Sequence, residues 1–253
     1  MNLSNINEIP LHTIEITVVY DNTSWKSGFT GDWGFSCIVS GKGMSILFDT
    51  GAEGDLLLSN MDRTRWNPED VETVFLSHDH WDHTGGIETF LQLNPDVQVF
   101  LPDSFSENIK TAVTESGAGL VEVSRPEEIC SGAFTTGPMV SAPEEQALLI
   151  TTDEGVVVIT GCAHPGITET VRRAKEITGD DILLVIGGFH LRSRTEREVL
   201  EIIHQFRDLG VQYAAPCHCT GESQIDLFRK EYGDRFIETG AGRILTGSDI
   251  RRQ

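Results

Sequence analysis

The sequence predicts an α/β protein of one domain, with two similar β-rich halves and helices on the outside. Three observations predict it: short β-branched runs punctuated by glycine, amphipathic helical stretches that alternate with strands in the second half, and a chain without a low-complexity linker. The chain has 253 residues, of which 39% are hydrophobic, so it can bury a sizeable core. We therefore expect residues 1–253 to form a single domain.

The first half is predicted to begin with antiparallel strands. The segment Ser40–Gly43, which contains two glycines, is a hairpin signal between two of them. A helix is expected after the Asp-Thr-Gly sequence at 49–51, and the apolar run that follows predicts a buried strand. The predicted strands cover residues 13–20, 35–39, 44–48 and 71–76.

The middle of the chain, residues 102–143, is rich in Gly, Ser, Thr and Pro and is predicted to be an irregular insert. It could hold a short helix from Ser104 and a few edge strands. Long irregular segments in compact domains are often functional. We therefore expect this insert to act as a lid or as a subunit contact.

The second half predicts a regular alternation of helices and strands. The Asp-Glu-Gly sequence at 153–155 is a turn signal between two strands. Thr195 and Glu198 form a capping box that predicts the start of a helix. The predicted strands cover 147–151, 156–160, 182–186, 211–215 and 235–239, and the predicted helices cover 167–177, 195–209 and 222–232.

The charge of the chain excludes several functions. It carries 39 Asp and Glu against 19 Lys and Arg, which gives a net charge of −20. Because phosphate recognition relies on clustered Lys and Arg, we expect neither a nucleic-acid partner nor binding to an anionic membrane surface. No apolar run approaches the roughly 20 residues of a membrane span, and the N-terminus does not resemble a signal peptide. A cytoplasmic protein is therefore expected.

The cysteines, at positions 37, 130, 162, 217 and 219, predict reduced thiols rather than a disulfide framework. Their number is odd, and Cys217 and Cys219 flank one histidine too closely for an ordinary disulfide. The neighbours of Cys162 and Cys217 leave open a thiol that lies near a metal.

Three of the eight histidines lie in the segment 78–83, directly after a predicted strand. His78 and His80 are two residues apart, so in extended geometry they project to the same side. Asp82 and His83 follow on the turn and can face a second position a few ångströms away. Imidazoles and a carboxylate are typical ligands of Zn²⁺ or a similar metal. The segment therefore predicts ligands for two adjacent cations, and a polar surface loop is the alternative.

This H-x-H-x-D-H sequence, followed by two glycines, resembles the metallo-β-lactamase superfamily. Further matching segments lie at 48–51, 161–166, 187–191 and 216–221. Together they are similar to a narrower branch, often labelled dihydropteroate-synthase-like. Its named relatives are 7,8-dihydropterin-6-methyl-4-(β-D-ribofuranosyl)aminobenzene-5′-phosphate synthases, and many other members are called metal-dependent hydrolases. The resemblance covers most of the chain and implies a four-layer αββα sandwich, in which two β-sheets are flanked by helices.

The resemblance also implies a pair of divalent metals, most simply Zn²⁺, with Fe or Mn as alternatives. Asp49 would hold a ligating histidine from outside the ligand set. The implied ligands are His78, His80 and His164 for the first metal and Asp82, His83 and His218 for the second.

The sequence departs from the superfamily at the bridging ligand. Where an Asp usually follows the strand, this chain has Cys162. Either Cys162 ligates or lies close by, or a water or hydroxide bridges alone, or one of the two sites is weak. A thiolate would favour Zn²⁺ over harder cations.

The activity that the resemblance implies is hydrolysis, in which a metal-activated hydroxide attacks a small ester, a lactone or a phosphorylated substrate. Asp82 would orient the hydroxide as well as ligate. His190 would act as a proton donor or an oxyanion stabiliser, with helix capping as its alternative. The alternative functions are a pterin-related synthase, which is a transferase, and a non-catalytic metal-binding protein. An oxygen- or NO-reducing di-iron protein is disfavoured, because the chain has no domain that would deliver electrons.

A basic cluster hints at the substrate. Arg192 and Arg194 lie at a predicted helix start, where they could receive a phosphate of a small molecule. The alternative is that these arginines pair with nearby glutamates. Trp33 is expected in the rim or core, and a position that lines the site is its alternative. Glu144–Gln146 is expected in a solvated turn, and the alternative, which the resemblance implies, is a position near the metals. A homodimer is compatible with the sequence.

Overall fold

The computed structural model describes residues 7–250, which form two mixed β-sheets packed face to face with helices on both outer faces. The first sheet has the strand order β13-β1-β2-β3-β4-β5-β6. Its strands are β1 (Glu15–Tyr20), β2 (Ser36–Gly41), β3 (Met44–Phe48), β4 (Thr73–Phe75), β5 (Gln98–Pro102), β6 (Gly119–Val123) and β13 (Ile244–Thr246).

The second sheet has the strand order β12-β11-β10-β9-β8-β7. Its strands are β7 (Glu127–Cys130), β8 (Ala133–Thr135), β9 (Leu148–Thr152), β10 (Gly155–Thr160), β11 (Ile182–Gly188) and β12 (Tyr213–Cys217). The helices are α1 (Gly54–Met61), α2 (Trp81–Thr84), α3 (Ile87–Leu93), α4 (Glu107–Ser116), α5 (Ile167–Thr178), α6 (Glu196–Asp208) and α7 (Glu222–Tyr232).

Three apolar clusters hold the layers together. The cluster between the sheets contains Ile46 of the first sheet and Ile186 of the second. A second cluster packs α1, α3 and α4 on the outer face of the first sheet, and a third packs α5, α6 and α7 on the outer face of the second. Each sheet therefore buries both of its faces, and the four-layer αββα prediction is confirmed.

The segment 102–143 is more regular than the sequence predicted. It contains α4, the edge strand β6 of the first sheet, and β7 and β8 of the second. Pairing with β5 and β9 orders these short strands, although their own residues carry weak strand signals. The segment is thus the connection between the two sheets.

The structure confirms some of the other predicted helices and strands and contradicts one. The capping box is confirmed, because Glu198 Oε2 accepts a hydrogen bond from Thr195 N at 2.8 Å and α6 begins at the next residue. The strand predicted at 235–239 is wrong, since only an isolated bridge joins Phe236 to Ala214. Arg235, the first residue of the predicted strand, belongs to a 3₁₀ turn over Gly233–Arg235. No helix within residues 7–250 is long and apolar enough to cross a membrane.

Candidate metal centre

The predicted site residues lie on loops that meet at one edge of the sandwich. These loops follow β3, β4, β10, β11 and β12. Strands β3 and β4 are parallel to each other, and so are β10, β11 and β12. Since parallel strands end at the same edge of a sheet, each sheet delivers its loops to one place.

The first group of ligand atoms belongs to His78, His80 and His164. Their ligand atoms all lie within 4.8 Å of one another. His78 Nε2 is 3.2 Å from His80 Nδ1, and the ring centroid of His164 is 4.7 Å from that of His78. The loop after β10 thus brings His164 to the two histidines that follow β4.

The second group belongs to Asp82, His83 and His218. His83 Nε2 is 3.2 Å from His218 Nε2, and Asp82 Oδ2 is 3.3 Å from His218 Nε2. The two groups adjoin, because the ring centroids of His78 and His83 are 4.2 Å apart. The structure therefore brings together all six residues that the sequence predicted as ligands.

Four of the imidazoles are held from outside through Nδ1. Where the acceptor is a carboxylate, Nδ1 carries the proton and Nε2 keeps its lone pair for a metal. The four contacts are His83 Nδ1 to Asp49 Oδ2 at 2.7 Å, His164 Nδ1 to Glu145 Oε2 at 2.8 Å, His78 Nδ1 to Ser77 Oγ at 2.9 Å, and His218 Nδ1 to Asn22 Oδ1 at 3.0 Å.

Asp49 lies where the sequence placed it, against a predicted ligand. It is fully buried and accepts hydrogen bonds from Ser77 N and Ser77 Oγ at 2.7 Å each, besides its contact with His83. Its φ of 51° is left-handed, a conformation that Asp tolerates better than most residues and that is common at functional sites. Burial raises the pKa of Asp49, although the two hydrogen bonds from Ser77 oppose the shift.

Glu145 lies at the site, as the alternative interpretation of residues 144–146 expected. It does not lie in a solvated turn, because only 2% of its surface is exposed. Its Oε1 accepts from Cys162 N and Ala163 N, and its Oε2 accepts from His164 N and His164 Nδ1, each at 2.8 Å. One carboxylate thus organises the whole loop after β10.

The thiols are arranged differently from the expectation. Cys162 Sγ lies 3.4 Å from His83 Nε2, so this thiol does reach the metal-ligand groups. Cys217, the other predicted candidate, instead packs in the core between the sheets. Cys219 is the thiol that lies beside Cys162, and its ligand atom, with those of Cys162 and His190, falls within 4.8 Å.

The charge states suit metal binding. Burial lowers the pKa of His78, and burial with the neighbouring charge of His218 lowers the pKa of His83 to about 3, so both imidazoles are neutral at pH 7. Burial works to raise the pKa of Asp82 and of Glu145. Contacts with imidazoles outweigh burial and hold both values well below the usual range. Burial works to lower the pKa of His218, but its contact with Asp82 outweighs burial and raises that pKa. The two carboxylates are therefore ionised and His78 and His83 can donate lone pairs, whereas His218 must release a proton when it binds a metal.

His190 faces the same edge from the end of β11. Its ring centroid is 4.7 Å from that of His164, and it lines a cavity of about 410 Å³ together with His164 and Arg194. A hydrogen bond with Cys219 raises the pKa of His190, although burial opposes the shift. Its φ of 53° turns the side chain away from the strand direction.

The predicted basic cluster separates in the structure. Arg194 Nη1 pairs with Glu198 Oε1 at 3.1 Å, as the alternative interpretation expected. Arg192 has no ion pair among residues 7–250, and its guanidinium lies 5.4 Å from the ring centroid of Trp33. Arg192 and Trp33 line a cavity of about 880 Å³ beside His218. Arg192 and Arg194 therefore face different cavities.

Trp33 contacts the second group directly. Its Nε1 donates a hydrogen bond to Asp82 Oδ2 at 2.8 Å, and its ring lies 5.1 Å from that of His218. The expectation of a rim position is therefore met, but the side chain also orients a predicted ligand. No periodic pattern in the sequence signals this contact.

The residues fit a pair of divalent cations. Two nitrogens bound to one tetrahedral Zn²⁺ at 2.0–2.1 Å lie about 3.3 Å apart. The His78–His80 and His83–His218 nitrogen pairs are each 3.2 Å apart. Ring nitrogens packed this closely have the geometry of ligands that share a cation, and in His78, His83 and His218 the other ring nitrogen is held from outside.

Comparisons with known proteins agree with this geometry. A model of the metallo-beta-lactamase superfamily matches residues 34–218. The 7,8-dihydropterin-6-methyl-4-(beta-D-ribofuranosyl)-aminobenzene-5'-phosphate synthase of Methanocaldococcus jannaschii is 26% identical over 294 residues, which cover 97% of this chain and 99% of that protein.

Solved structures match over a similar length. A crystal structure of a metal-dependent hydrolase of the beta-lactamase superfamily is 31% identical with a TM-score of 0.78, and the match covers 92% of this chain and 98% of that one. The metallo-beta-lactamase fold protein YhfI from Bacillus subtilis is 15% identical with a TM-score of 0.69, over 92% of this chain and 99% of that one. At that identity the second match supports the fold alone.

Proposed function

Because this chain belongs to the metallo-β-lactamase superfamily, we propose that it is a metal-dependent hydrolase that holds two divalent cations, most simply Zn²⁺, in the two adjoining ligand groups. The proposal rests on the geometry of the two groups. In each group the ligand atoms lie within 4.8 Å of one another. Two carboxylates, a hydroxyl and an amide contact the Nδ1 atoms of four of the imidazoles. When bound, two such cations supply a nucleophilic hydroxide at neutral pH and polarise an oxygen of the substrate.

Asp82 has two roles in this proposal. Its Oδ2 faces His83 Nε2 at 3.7 Å and His218 Nε2 at 3.3 Å, so this oxygen is the third ligand of the second group. Trp33 donates to the same oxygen and fixes the carboxylate plane. A carboxylate held this way can also accept a proton from the attacking water.

His190 is the proposed proton donor. It is exposed to the cavity that His164 also lines, so a leaving group bound there would lie within its reach. The hydrogen bond with Cys219 raises its pKa, which increases the fraction of the imidazole that carries a proton near pH 7. The protonated imidazole is the form that can protonate a leaving oxygen.

The proposed substrate is a small molecule that carries a phosphate. Arg192 supports this proposal, because it has no ion pair among the described residues and lines the larger cavity next to His218. Its contact with the Trp33 ring would hold the guanidinium in place without neutralising it. Arg194 is less suited to this role, since Glu198 already neutralises it.

A synthase reaction is the second candidate. It is supported by the full-length match to the Methanocaldococcus jannaschii protein, whose name describes a phosphorylated pterin-related product. The same Trp33 and Arg192 could hold an aromatic group and a phosphate of such a substrate. In that reaction the ligand groups would activate a nucleophile other than water.

The test combines metal analysis with an activity panel. Protein loaded with Zn²⁺, Mn²⁺ or Fe²⁺ is assayed against a small ester, a lactone, a phosphomonoester and a phosphodiester. We expect turnover with at least one metal, and we expect His80→Ala and Asp82→Ala to lose bound metal and activity while remaining folded. Turnover at the wild-type level in either variant would refute the two-metal proposal. Folded, metal-loaded protein without turnover on any substrate would favour a synthase or a non-catalytic metal-binding protein.

Arginine variants test the phosphate proposal separately. Arg192→Gln should raise KM for the phosphorylated substrate while leaving KM for a neutral ester unchanged. Arg194→Gln is the matched control, because its charge is already compensated by Glu198. Equal KM values for wild type and Arg192→Gln would refute a role in phosphate binding.

A further inference from the structure

We propose that Cys162, His190 and Cys219 form a third metal site, which takes a soft cation such as Zn²⁺ or Cd²⁺ beside the two histidine-rich groups. The three residues come from three loops, after β10, β11 and β12. Neither the hydrolase nor the synthase proposal uses this set as a ligand group. The inference does not depend on which reaction is catalysed, but the count of three metals rests on the two cations of the proposed function.

The distances fit one cation. The two sulfurs and one imidazole nitrogen all lie within 4.8 Å of one another. Two sulfurs that share a tetrahedral Zn²⁺ at about 2.3 Å are separated by roughly 3.8 Å, so the three atoms need only small side-chain rotations to close on a metal. A set of two Cys and one His with an open fourth position is a known arrangement of zinc sites.

Gly188, the last residue of β11, leaves the space that the Cys219 side chain occupies. A Cβ at Gly188 would lie 2.6 Å from Cys219 Sγ, so a side chain larger than hydrogen would push the sulfur out of the cluster. The backbone is left-handed at three nearby positions, with φ between 50° and 56°, and this turns the loops toward the same point. The positions are Ala163, His190 and His218. Such conformations are uncommon for residues other than glycine and concentrate at functional sites.

The environment is also that of a metal site. Cys162 and Cys219 are 3% and 6% exposed, so the sulfurs are shielded from bulk water. Glu145 Oε1 accepts a hydrogen bond from Cys162 N at 2.8 Å, and this fixes the backbone that carries the thiol. His190 opens to the cavity of about 410 Å³, which provides an entry path and a place for a fourth ligand.

Cys162 connects the proposed site to the other two groups. Its sulfur also falls within 4.8 Å of the ligand atoms of His78 and His83. A thiolate has several lone pairs, so one sulfur can contact a cation of the histidine groups and the third cation together. Occupation of the third site would use the imidazole of His190 as a ligand and remove it from proton donation.

Cadmium titration of the full chain tests the proposal. The reduced, metal-free protein is loaded with excess Cd²⁺ and desalted, and bound metal is counted by mass spectrometry. Thiolate-to-metal charge-transfer absorption in the ultraviolet reports sulfur ligation. We expect three equivalents in wild type, and two equivalents with weaker absorption in Cys219→Ser. Cys217→Ala is the matched control, because this thiol lies two residues away in the core, and it should keep three equivalents and the full absorption.

A second variant keeps the test decisive if Cys219→Ser does not fold. His190→Ala changes an exposed side chain, so the fold should persist while the third equivalent is lost. Two equivalents in wild type, or three in a folded Cys219→Ser or His190→Ala protein, would overturn the proposal. None of these readouts depends on turnover, so failure of the proposed reaction and failure of the third site are distinguishable.

Discussion

Glu145→Gln would test whether one buried carboxylate builds the loop that carries His164 and Cys162. In the folded protein the two carboxylate oxygens accept four N–H hydrogen bonds, two on each oxygen, all at 2.8 Å. An amide presents one oxygen and one NH₂ group. Whichever way the amide is turned, two N–H donors therefore face another donor and lose their partner.

The structure sets the size of the expected effect. A hydrogen bond to a charged group contributes about 1.5–3 kcal/mol, so losing two lowers the free energy of unfolding by about 3–6 kcal/mol. This is a large part of the roughly 5–15 kcal/mol that stabilises a typical domain. Because the amide can no longer fix His164 through an ionised acceptor, affinity for the first metal should also fall by about 10–100-fold.

Urea unfolding in the presence of a chelator measures the first effect, and competition with a chromophoric chelator measures the second. Glu144→Gln is the matched control, since the neighbouring side chain is only half-buried and the change in charge is the same. If Glu145→Gln unfolded within about 1 kcal/mol of wild type and bound metal equally well, the assigned role of this carboxylate would be refuted.

Further predictions follow from the same contacts. Folding holds the pKa of Glu145 below its ordinary 4.5. The difference in unfolding free energy between wild type and Glu145→Gln should therefore be full above about pH 5 and should shrink as the pH falls. Urea unfolding at several pH values measures this difference. Asp49→Asn should weaken metal binding at the second group by about 10–100-fold, because the amide no longer fixes the His83 tautomer, and chelator competition measures the loss. Gly188→Ala should cost about 1–3 kcal/mol in unfolding experiments and abolish the third cadmium equivalent, since its Cβ would meet a backbone carbonyl oxygen at 2.4 Å as well as Cys219 Sγ. Removing bound metal should lower Tm, because a cation present at 100 times its Kd adds about 2.7 kcal/mol to stability, and re-addition should restore it.

The predictable part of the site is the part that is local in sequence. His78, His80 and His83 lie within one turn that follows a buried strand, so their spacing alone indicates two facing positions. Their grouping with His164 and His218 needs strands of the other sheet, and only the family resemblance supplied it. Long-range pairing of this kind leaves no periodic signal in a single sequence.

The resemblance placed Glu145 near the metals only as an alternative, because its hydrogen bonds depend on a contact across the fold. In the sequence it is one of two adjacent glutamates before a strand, a pattern typical of solvated turns. In the structure Glu145, which precedes β9, lies against the backbone of residues 162–164, which follow β10. Buried backbone donors at the end of β10 require an acceptor, and this carboxylate is the one that the fold brings there.

Cys219, rather than Cys217, lies beside the metal-ligand groups for a local reason. Cys217 is the last residue of β12 and points into the core, as extended geometry requires. His218 then takes a left-handed φ of 50°, and a 3₁₀ turn follows over His218–Thr220. This change of backbone direction aims Cys219 at the metal-ligand groups, and the simple alternation of a strand cannot anticipate it.

The replacement of the usual bridging Asp by Cys162 alters what this edge of the sheets can bind. A carboxylate offers two oxygens, one for each cation, whereas Cys162 offers a single sulfur that lies 3.4 Å from His83 Nε2. Cys219 Sγ lies within 4.8 Å of that sulfur and belongs to neither histidine-rich group. In the proposed site, soft sulfur ligands would therefore stand beside the imidazoles, and Asp82 would be the hard ligand. A chain with a net charge of −20 thereby gathers imidazoles and thiols at one place, where cations rather than polyanions are the natural ligands.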